Sequence, residues 1–218
     1  ERECSIQRRH QKVVEETPSP FLNDQRRQAL FEAALRGLEA IDYTNVGTME
    51  FIFDAEGNFY FLEMNTRLQV EHPVTEETIG LDLVELQLRV AAGQPLELAQ
   101  KDVRPNGHAL ECRIYAEDPV TFYPSPGTIT ALELPEGARY DWAVESGNAV
   151  TPFYDPMIGK VITHGASRQE AVERMMEVLS NMKLEGVKTN VPLLLDVMHH
   201  PDFQAGEYDT TFLQKIKR

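Results

Sequence analysis

The residues with the most chemical potential lie between Val46 and His72, in the stretch VGTMEFIFDAEGNFYFLEMNTRLQVEH. Two apolar, aromatic-rich runs flank Asp54-Ala55-Glu56-Gly57-Asn58, a cluster of turn formers, so the stretch reads as a β-hairpin. With Glu56-Gly57 as the loop, Ala55 pairs with Asn58, Phe53 with Tyr60 and Glu50 with Glu63. Glu50, Ile52, Phe61, Glu63 and Asn65 then share one face, while Phe51, Phe53, Tyr60, Leu62 and Met64 form an apolar one. Facing carboxylates repel each other. Two of them beside an amide are also hard oxygen donors suited to Mg²⁺ or Mn²⁺ bridged to phosphate. A solvated edge hairpin satisfies the same pattern, so the hairpin alone leaves both readings open for Glu50, Glu63 and Asn65.

Asn65-Thr66-Arg67-Leu68-Gln69-Val70-Glu71-His72-Pro73 follows directly. If extended, it sets Glu63, Asn65, Arg67, Gln69 and Glu71 on one face by its period of two. That row makes a poor core strand and a good polar wall for an anionic reactant bridged to a metal. The opening segment, Glu1 to Lys12, is equally dense in charge and reads as an edge strand. Extended, it places His10 and Lys12 beside Arg8, with Gln7 and Arg9 opposite.

The elements that must position these residues have clearer signals. Thr17-Pro18-Ser19-Pro20 is an extended linker. Asn23 or Asp24 starts a helix to about Ile41, whose apolar residues Leu30, Phe31, Ala34, Leu35 and Leu38 are spaced to pack on a sheet. His72-Pro73-Val74-Thr75 is expected to turn the chain. Asp82 with Glu85 begins a helix that Gly93 and Pro95 end. A polar connector from Leu96 to Gly107 marks a boundary, and His108–Tyr115 alternates as a strand. Strands are expected around Thr128–Leu134 and Tyr140–Glu145. Ser167 and Glu170 cap a helix with methionines on its core face. A helix over Asn190–His199 and a short one near Thr211–Lys217 close the chain. His199-His200 diverge on a helix and make a poor metal site.

Composition narrows the class. Across 218 residues the net charge is −14, which disfavours nucleic acid and anionic membrane as partners. No apolar run is long enough to span a bilayer, and no signal peptide is evident. Cys4 and Cys112 have no zinc spacing, and reduced thiols in a cytoplasmic protein are the expectation. The chain opens on a charged segment without an initiator Met, so it reads as a fragment.

EMNTRLQVEHPVTE (63–76), ERECSIQRRHQKVVEETPSP (1–20) and YDPMIGK (154–160) together resemble the biotin carboxylase component of biotin-dependent carboxylases, a family with an ATP-grasp fold. The resemblance implies an α+β chain. Residues 1–104 would be the C-terminal part of the ATP-grasp domain, an antiparallel sheet with helices, and residues 105–218 the biotin carboxylase C-terminal α+β domain. It implies that family members run to about twice this length, so that the fragment alone would be inactive. It also implies ATP- and bicarbonate-dependent carboxylation of biotin on its carrier protein, through carboxyphosphate.

In that scheme Glu50, Glu63 and Asn65 hold Mg²⁺ or Mn²⁺, and Gln7 and His10 lie near the nucleotide. Lys12, Arg67, Gln69 and the Val70 amide hold bicarbonate, and Glu71 is the base that deprotonates it. Aligning back from Gly147 and Tyr154 places Arg139 at the biotin ureido oxygen. The implied partners are the biotin carboxyl carrier protein, carboxyltransferase subunits and a second copy in a homodimer. Within the family, Thr66 and Pro73 favour an acetyl-CoA, propionyl-CoA or methylcrotonyl-CoA carboxylase; acetyl-CoA carboxylase of fatty acid biosynthesis is the first expectation. Another bicarbonate-using ATP-grasp ligase, such as carbamoyl phosphate synthetase, and a non-catalytic dimerisation fragment are the alternatives.

Overall fold

A computed structural model describes residues 1–216. Its first twelve residues do not form one strand. β1 (Glu3–Arg8) and β2 (Gln11–Thr17) are joined through Arg9 and His10, with φ of 51° and 63°. Two residues of positive φ make the tight turn whose twist matches the flanking strands. No glycine or asparagine announces it. The turn corrects the expected facing: Gln7 stands opposite Lys12 and Arg8 opposite Gln11. Lys12 therefore shares a face with Gln7 rather than with Arg8, and His10 lies exposed in the turn.

Helix α1 (Asp24–Ala40) starts where the Asn23 side chain accepts the Arg26 N–H at 2.9 Å. Its apolar stripe faces the hairpin of β3 (Thr48–Phe53) and β4 (Phe59–Asn65) across an open trough of about 530 Å³ lined by Gly37, Ile41, Met49 and Phe51. Leu30 is buried, but Leu35 stays 52% exposed, so the stripe is less covered than its spacing suggested. Helix α2 (His72–Ile79) occupies the segment expected to turn, because Pro73 sits in a first turn, where a missing N–H costs nothing. Helix α3 (Leu83–Ala91) is capped by Asp82, which accepts the Glu85 N–H at 2.8 Å.

Beyond the connector come β5 (His108–Tyr115), β6 (Gly127–Thr128), β7 (Ala131–Glu133), β8 (Arg139–Trp142), β9 (Ala149–Val150) and β10 (Met157–Gly165). Helix α4 (Arg168–Asn181), β11 (Lys183–Glu185), α5 (Val191–His199) and α6 (Pro201–Ala205) follow. The expected C-terminal helix is a short 3-10 turn, Phe212–Gln214, and its end at Lys217 lies outside the described residues.

The fold is α+β, and every strand pair is antiparallel. One five-stranded sheet runs β1-β2-β5-β10-β8, and the β3–β4 hairpin stands apart from it. β10, quoted above only as a motif, proves to be an inner strand. Gly159 is required there: a Cβ would meet the Trp142 ring, which lies over it from β8, at 2.1 Å. The sheet also crosses the expected division at 104/105, since β2 pairs with β5 from Val14↔Cys112 to Thr17↔Ala109.

All eight residues of β5 are buried. Its alternation therefore separates two covered layers rather than core from solvent. Leu110, Cys112 and Ile114 join the main core with Met175, Leu179, Leu194 and Phe203 of the helices. Ala109 meets Val74 of α2 and Ile162 of β10 on the other side, and around this small apolar patch lies a layer of charge.

Candidate active site

The hairpin delivers its two glutamates by a different route from the one its sequence suggested. Asp54 and Asn58 close a three-residue loop: the Asp54 N–H donates to Asn58 O at 2.9 Å, the Asp54 carboxylate accepts the Asn58 N–H at 2.8 Å, and Gly57 takes φ +87°. Phe53 therefore pairs with Phe59 and Ile52 with Tyr60, one residue out from the two-residue-loop register. An irregularity between Glu50 and Phe51 then shifts the ladder back, so that Glu50 faces Glu63 as expected. The shift also corrects the faces. Phe61 lines the apolar trough with Phe51 and Phe59, whereas Tyr60 pairs with Ile52 on the glutamate side.

Asn65 bridges the pair, with Nδ2 at 3.1 Å from Glu50 Oε1 and 3.0 Å from Glu63 Oε1. The same Glu50 oxygen accepts Lys12 Nζ at 2.9 Å and Gln69 Nε2 at 2.6 Å. Beyond Asn65 the chain leaves the extended conformation, and Glu71 has φ −84° and ψ 16°. The expected polar row is thus not a strand. Gln69 and Glu71 nonetheless turn inward and are buried, while Arg67 stays exposed, holding Asn65 Oδ1 at 3.2 Å.

From Glu50 a chain of alternating charge runs inward. Lys12 Nζ lies 2.6 Å from Glu71 Oε1, Arg113 Nη2 lies 3.0 Å from Glu71 Oε2, and Arg113 Nε lies 2.6 Å from Glu15 Oε1. Burial alone would raise the Glu71 carboxyl, but Lys12, Arg2 and Arg113 outweigh it and hold it below its ordinary range. Burial pulls the Lys12 ammonium down, and the Cys4 and Glu71 beside it more than reverse that. Glu71 is therefore a carboxylate at neutral pH. Arg2 closes the site from above, reaching Gln69 Oε1 at 2.6 Å and Thr48 Oγ1 at 3.0 Å.

Two family models between them account for nearly the whole chain: the carbamoyl-phosphate synthase L chain ATP-binding domain over residues 1–99 and the biotin carboxylase C-terminal domain over residues 111–215. Biotin carboxylase 2 of Bacillus subtilis is 58% identical over 99% of the chain, which covers 49% of that protein. The chain belongs to the biotin carboxylase family. It is also 49% identical to the human mitochondrial propionyl-CoA carboxylase alpha chain, matching 99% of this chain and 30% of that one. The biotin carboxylase domain dimer of Hydrogenobacter thermophilus 2-oxoglutarate carboxylase, in complex with MgADP, ADP and bicarbonate, superposes with TM-score 0.96 at 46% identity, over 98% of this chain and 48% of that one. The chain thus spans about half the length of the curated biotin carboxylases it matches.

Of the positions singled out for a biotin carboxylase, the structure brings Lys12, Glu50, Glu63, Asn65, Gln69 and Glu71 together, with Arg67 at the rim. Val70 meets the set through its carbonyl, which accepts Lys160 Nζ at 2.8 Å. Gln7 instead donates to Cys4 O at 2.8 Å. Arg139 lies among Glu76, Glu77 and Asp141, at 2.8, 3.3 and 3.0 Å.

The guanidinium beside Glu71 is neither Arg67 nor Arg139 but Arg113. Reading 108–115 as a half-buried strand gave no reason to single it out. An arginine within a run otherwise able to lie in a core was the available signal. By donor chemistry Glu50, Glu63 and Asn65 fit a divalent cation, since the amines and amides now on Glu50 Oε1 mark a strongly acidic point. Among the described residues no cluster of three or more His, Cys, Asp or Glu is placed to hold a metal. No helix among the described residues is long and apolar enough to cross a membrane.

Proposed function

We propose that the chain is the C-terminal half of a biotin carboxylase, an ATP-dependent ligase that carboxylates biotin on its carrier protein. Bicarbonate attacks the γ-phosphate of ATP to give carboxyphosphate and ADP, carboxyphosphate releases CO₂ and phosphate, that phosphate takes the N1′ proton of biotin, and the deprotonated N1′ takes up the CO₂. The observation that carries this reading is the run Glu50–Lys12–Glu71–Arg113, which joins a pair of facing carboxylates to an ionised, buried base.

Phosphoryl transfer is mostly positioning and charge neutralisation. Mg²⁺ or Mn²⁺ held by Glu50, Glu63 and Asn65 would supply the charge neutralisation at the phosphates. Lys12, a compact donor, and Arg67, a planar one, would hold the bicarbonate oxygens together with Gln69 and the Val70 amide. Glu71 would accept the bicarbonate proton. Gln7 and His10, at the tip of the β1–β2 hairpin, would lie toward the nucleotide. Arg139 remains a proposal for the biotin ureido oxygen. It would have to exchange Glu76 and Asp141 for it, whereas Arg113 already stands at Glu71.

We divide the chain at 104/105, between an ATP-grasp part and the C-terminal α+β part. The finer assignment is to a cytoplasmic acetyl-CoA carboxylase of fatty acid biosynthesis, acting as a homodimer with a biotin carboxyl carrier protein and carboxyltransferase subunits. Its support is the high identity to proteins named biotin carboxylase, although relatives named for propionyl-CoA and 2-oxoglutarate share much of the same sequence. The free Cys4 and Cys112 suit a reducing compartment.

The test is bicarbonate-dependent ADP formation by the full-length protein, with and without biotin. Glu71→Gln should lower it by about 10²–10⁴-fold, the usual contribution of a general base. An unchanged rate would remove Glu71 from that role.

A further inference from the structure

A second pair of glutamates lies behind the site. Glu111, in the middle of β5, is 0% exposed, and neither of its carboxylate oxygens has a hydrogen-bond partner among the described residues. Directly opposite on β2 stands Glu15, also 0% exposed, whose Oε1 accepts from Arg113 while its Oε2 has no partner. Side chains so opposed have Cβ atoms about 4.5–5.5 Å apart, close enough for carboxyl groups to touch. On the other flank of Glu111 is Ile162, which packs with Val74 and Ala109.

The charged groups of this layer are committed elsewhere. Arg113 holds Glu15 and Glu71, and Lys160 holds Asp141 and the Val70 carbonyl. Arg139 holds Glu76, Glu77 and Asp141, and Lys12 holds Glu71 and Glu50. Among the described residues no cation bonds Glu111. Arg113 satisfies only Glu15, so a second ionised carboxylate directly opposite is not sustainable at that depth. A single proton resolves the conflict, because a neutral Glu111 donates to the orphan oxygen of Glu15.

We propose that Glu15 and Glu111 hold one proton between them and act as positioning residues for Arg113. The pair then presents one negative charge, which anchors the guanidinium through Glu15 and leaves its Nη2 for Glu71. This deepens the reading of Glu71 as the base and rests on it. Burial pushes the Glu15 carboxyl up to about 7 against the pull of Arg113, and burial together with Glu15 pushes Glu111 well above its ordinary range, in keeping with a shared proton. As pH rises the proton leaves, a second negative charge appears beside Arg113, and its hold on Glu71 weakens. The same loss destabilises the fold on the alkaline side, because the unfolded chain releases these protons at lower pH.

The test uses the full-length protein. Infrared difference spectra between about pH 5 and about pH 9 should show, within the carboxylic-acid carbonyl band of the parent, a component that fades with pH and is missing from Glu111→Gln. Glu111→Gln, which mimics the neutral acid, should keep bicarbonate-dependent ADP formation within about twofold at neutral pH. It should also shift the alkaline decline upward by at least about one pH unit, tenfold in proton concentration. Glu111→Leu, which cannot donate to Glu15, should lower the rate and should not restore the alkaline activity.

Absence of that component from the parent, or its persistence in Glu111→Gln, overturns the shared proton, and the parent spectrum decides this even if a variant fails to fold. An unshifted alkaline limb in Glu111→Gln overturns the positioning role. Should the parent form no ADP in response to bicarbonate, the proposed reaction fails by itself, and the infrared band still settles where the proton is.

Discussion

Two pairs of glutamates face each other across antiparallel ladders, one in the β3–β4 hairpin and one in the central sheet. Glu50 and Glu63 sit where water and N–H donors reach them, and Glu50 alone gathers Lys12, Asn65 and Gln69. Glu15 and Glu111 lie where almost nothing reaches them. The same cross-strand repulsion therefore has two resolutions. In the proposed enzyme the accessible pair would take a positive ion and the buried pair a proton. Burial, rather than the motif, decides between them.

The largest effect that would break this contrast is at the accessible pair. Glu63→Gln in the full-length protein should leave the fold intact, since Glu63 is exposed, and lower ATP-dependent turnover by about 10³-fold. A normal kcat would make the hairpin pair a merely solvated one. Packing should separate the two regions next. Leu110→Ala, at a fully buried site in β5, should cost about 2–5 kcal/mol in denaturant unfolding.

Acid should destabilise the central region as alkali does, but through a different carboxylate. Burial opposes ionisation of Glu16, but His108 and Arg168 hold its carboxyl below the ordinary range. Its stabilisation is present above the unfolded carboxylate value and is lost as pH falls through the folded one. The parent should thus lose stability below about pH 4.5, and Glu16→Gln should flatten that limb in pH-dependent melting curves. The smallest effect belongs to the hairpin: Leu62→Ala, at a side chain 55% exposed, should change stability by no more than about 0.5 kcal/mol.

Local chemistry was legible wherever a side chain announces its own role. Asn23, Asp82 and Ser167 mark helix starts and are found capping them. The Glu50–Glu63 pairing was legible too, although by two compensating departures: a three-residue loop moved the register one way and the irregularity at Phe51 moved it back. The Arg9-His10 turn carried no sign because neither residue is a turn former, and the β1–β2 pairing around it holds both in positive φ. Pro73 was read as a breaker because a proline looks alike in a turn and in a first helical turn. Arg113 stayed hidden because its meaning depends on Glu71 and Glu15, residues brought to it by two other segments.

The pairing of β2 with β5 has a mechanical consequence for any attempt to take the molecule apart. A protease cut in the connector between 104 and 105 would sever the covalent link and leave the backbone ladder from Val14 to Thr17 intact. The two pieces should migrate together under native conditions and part only in denaturant. Mixed after separate refolding, they should find each other again, since each exposes the bare strand edge the other completes.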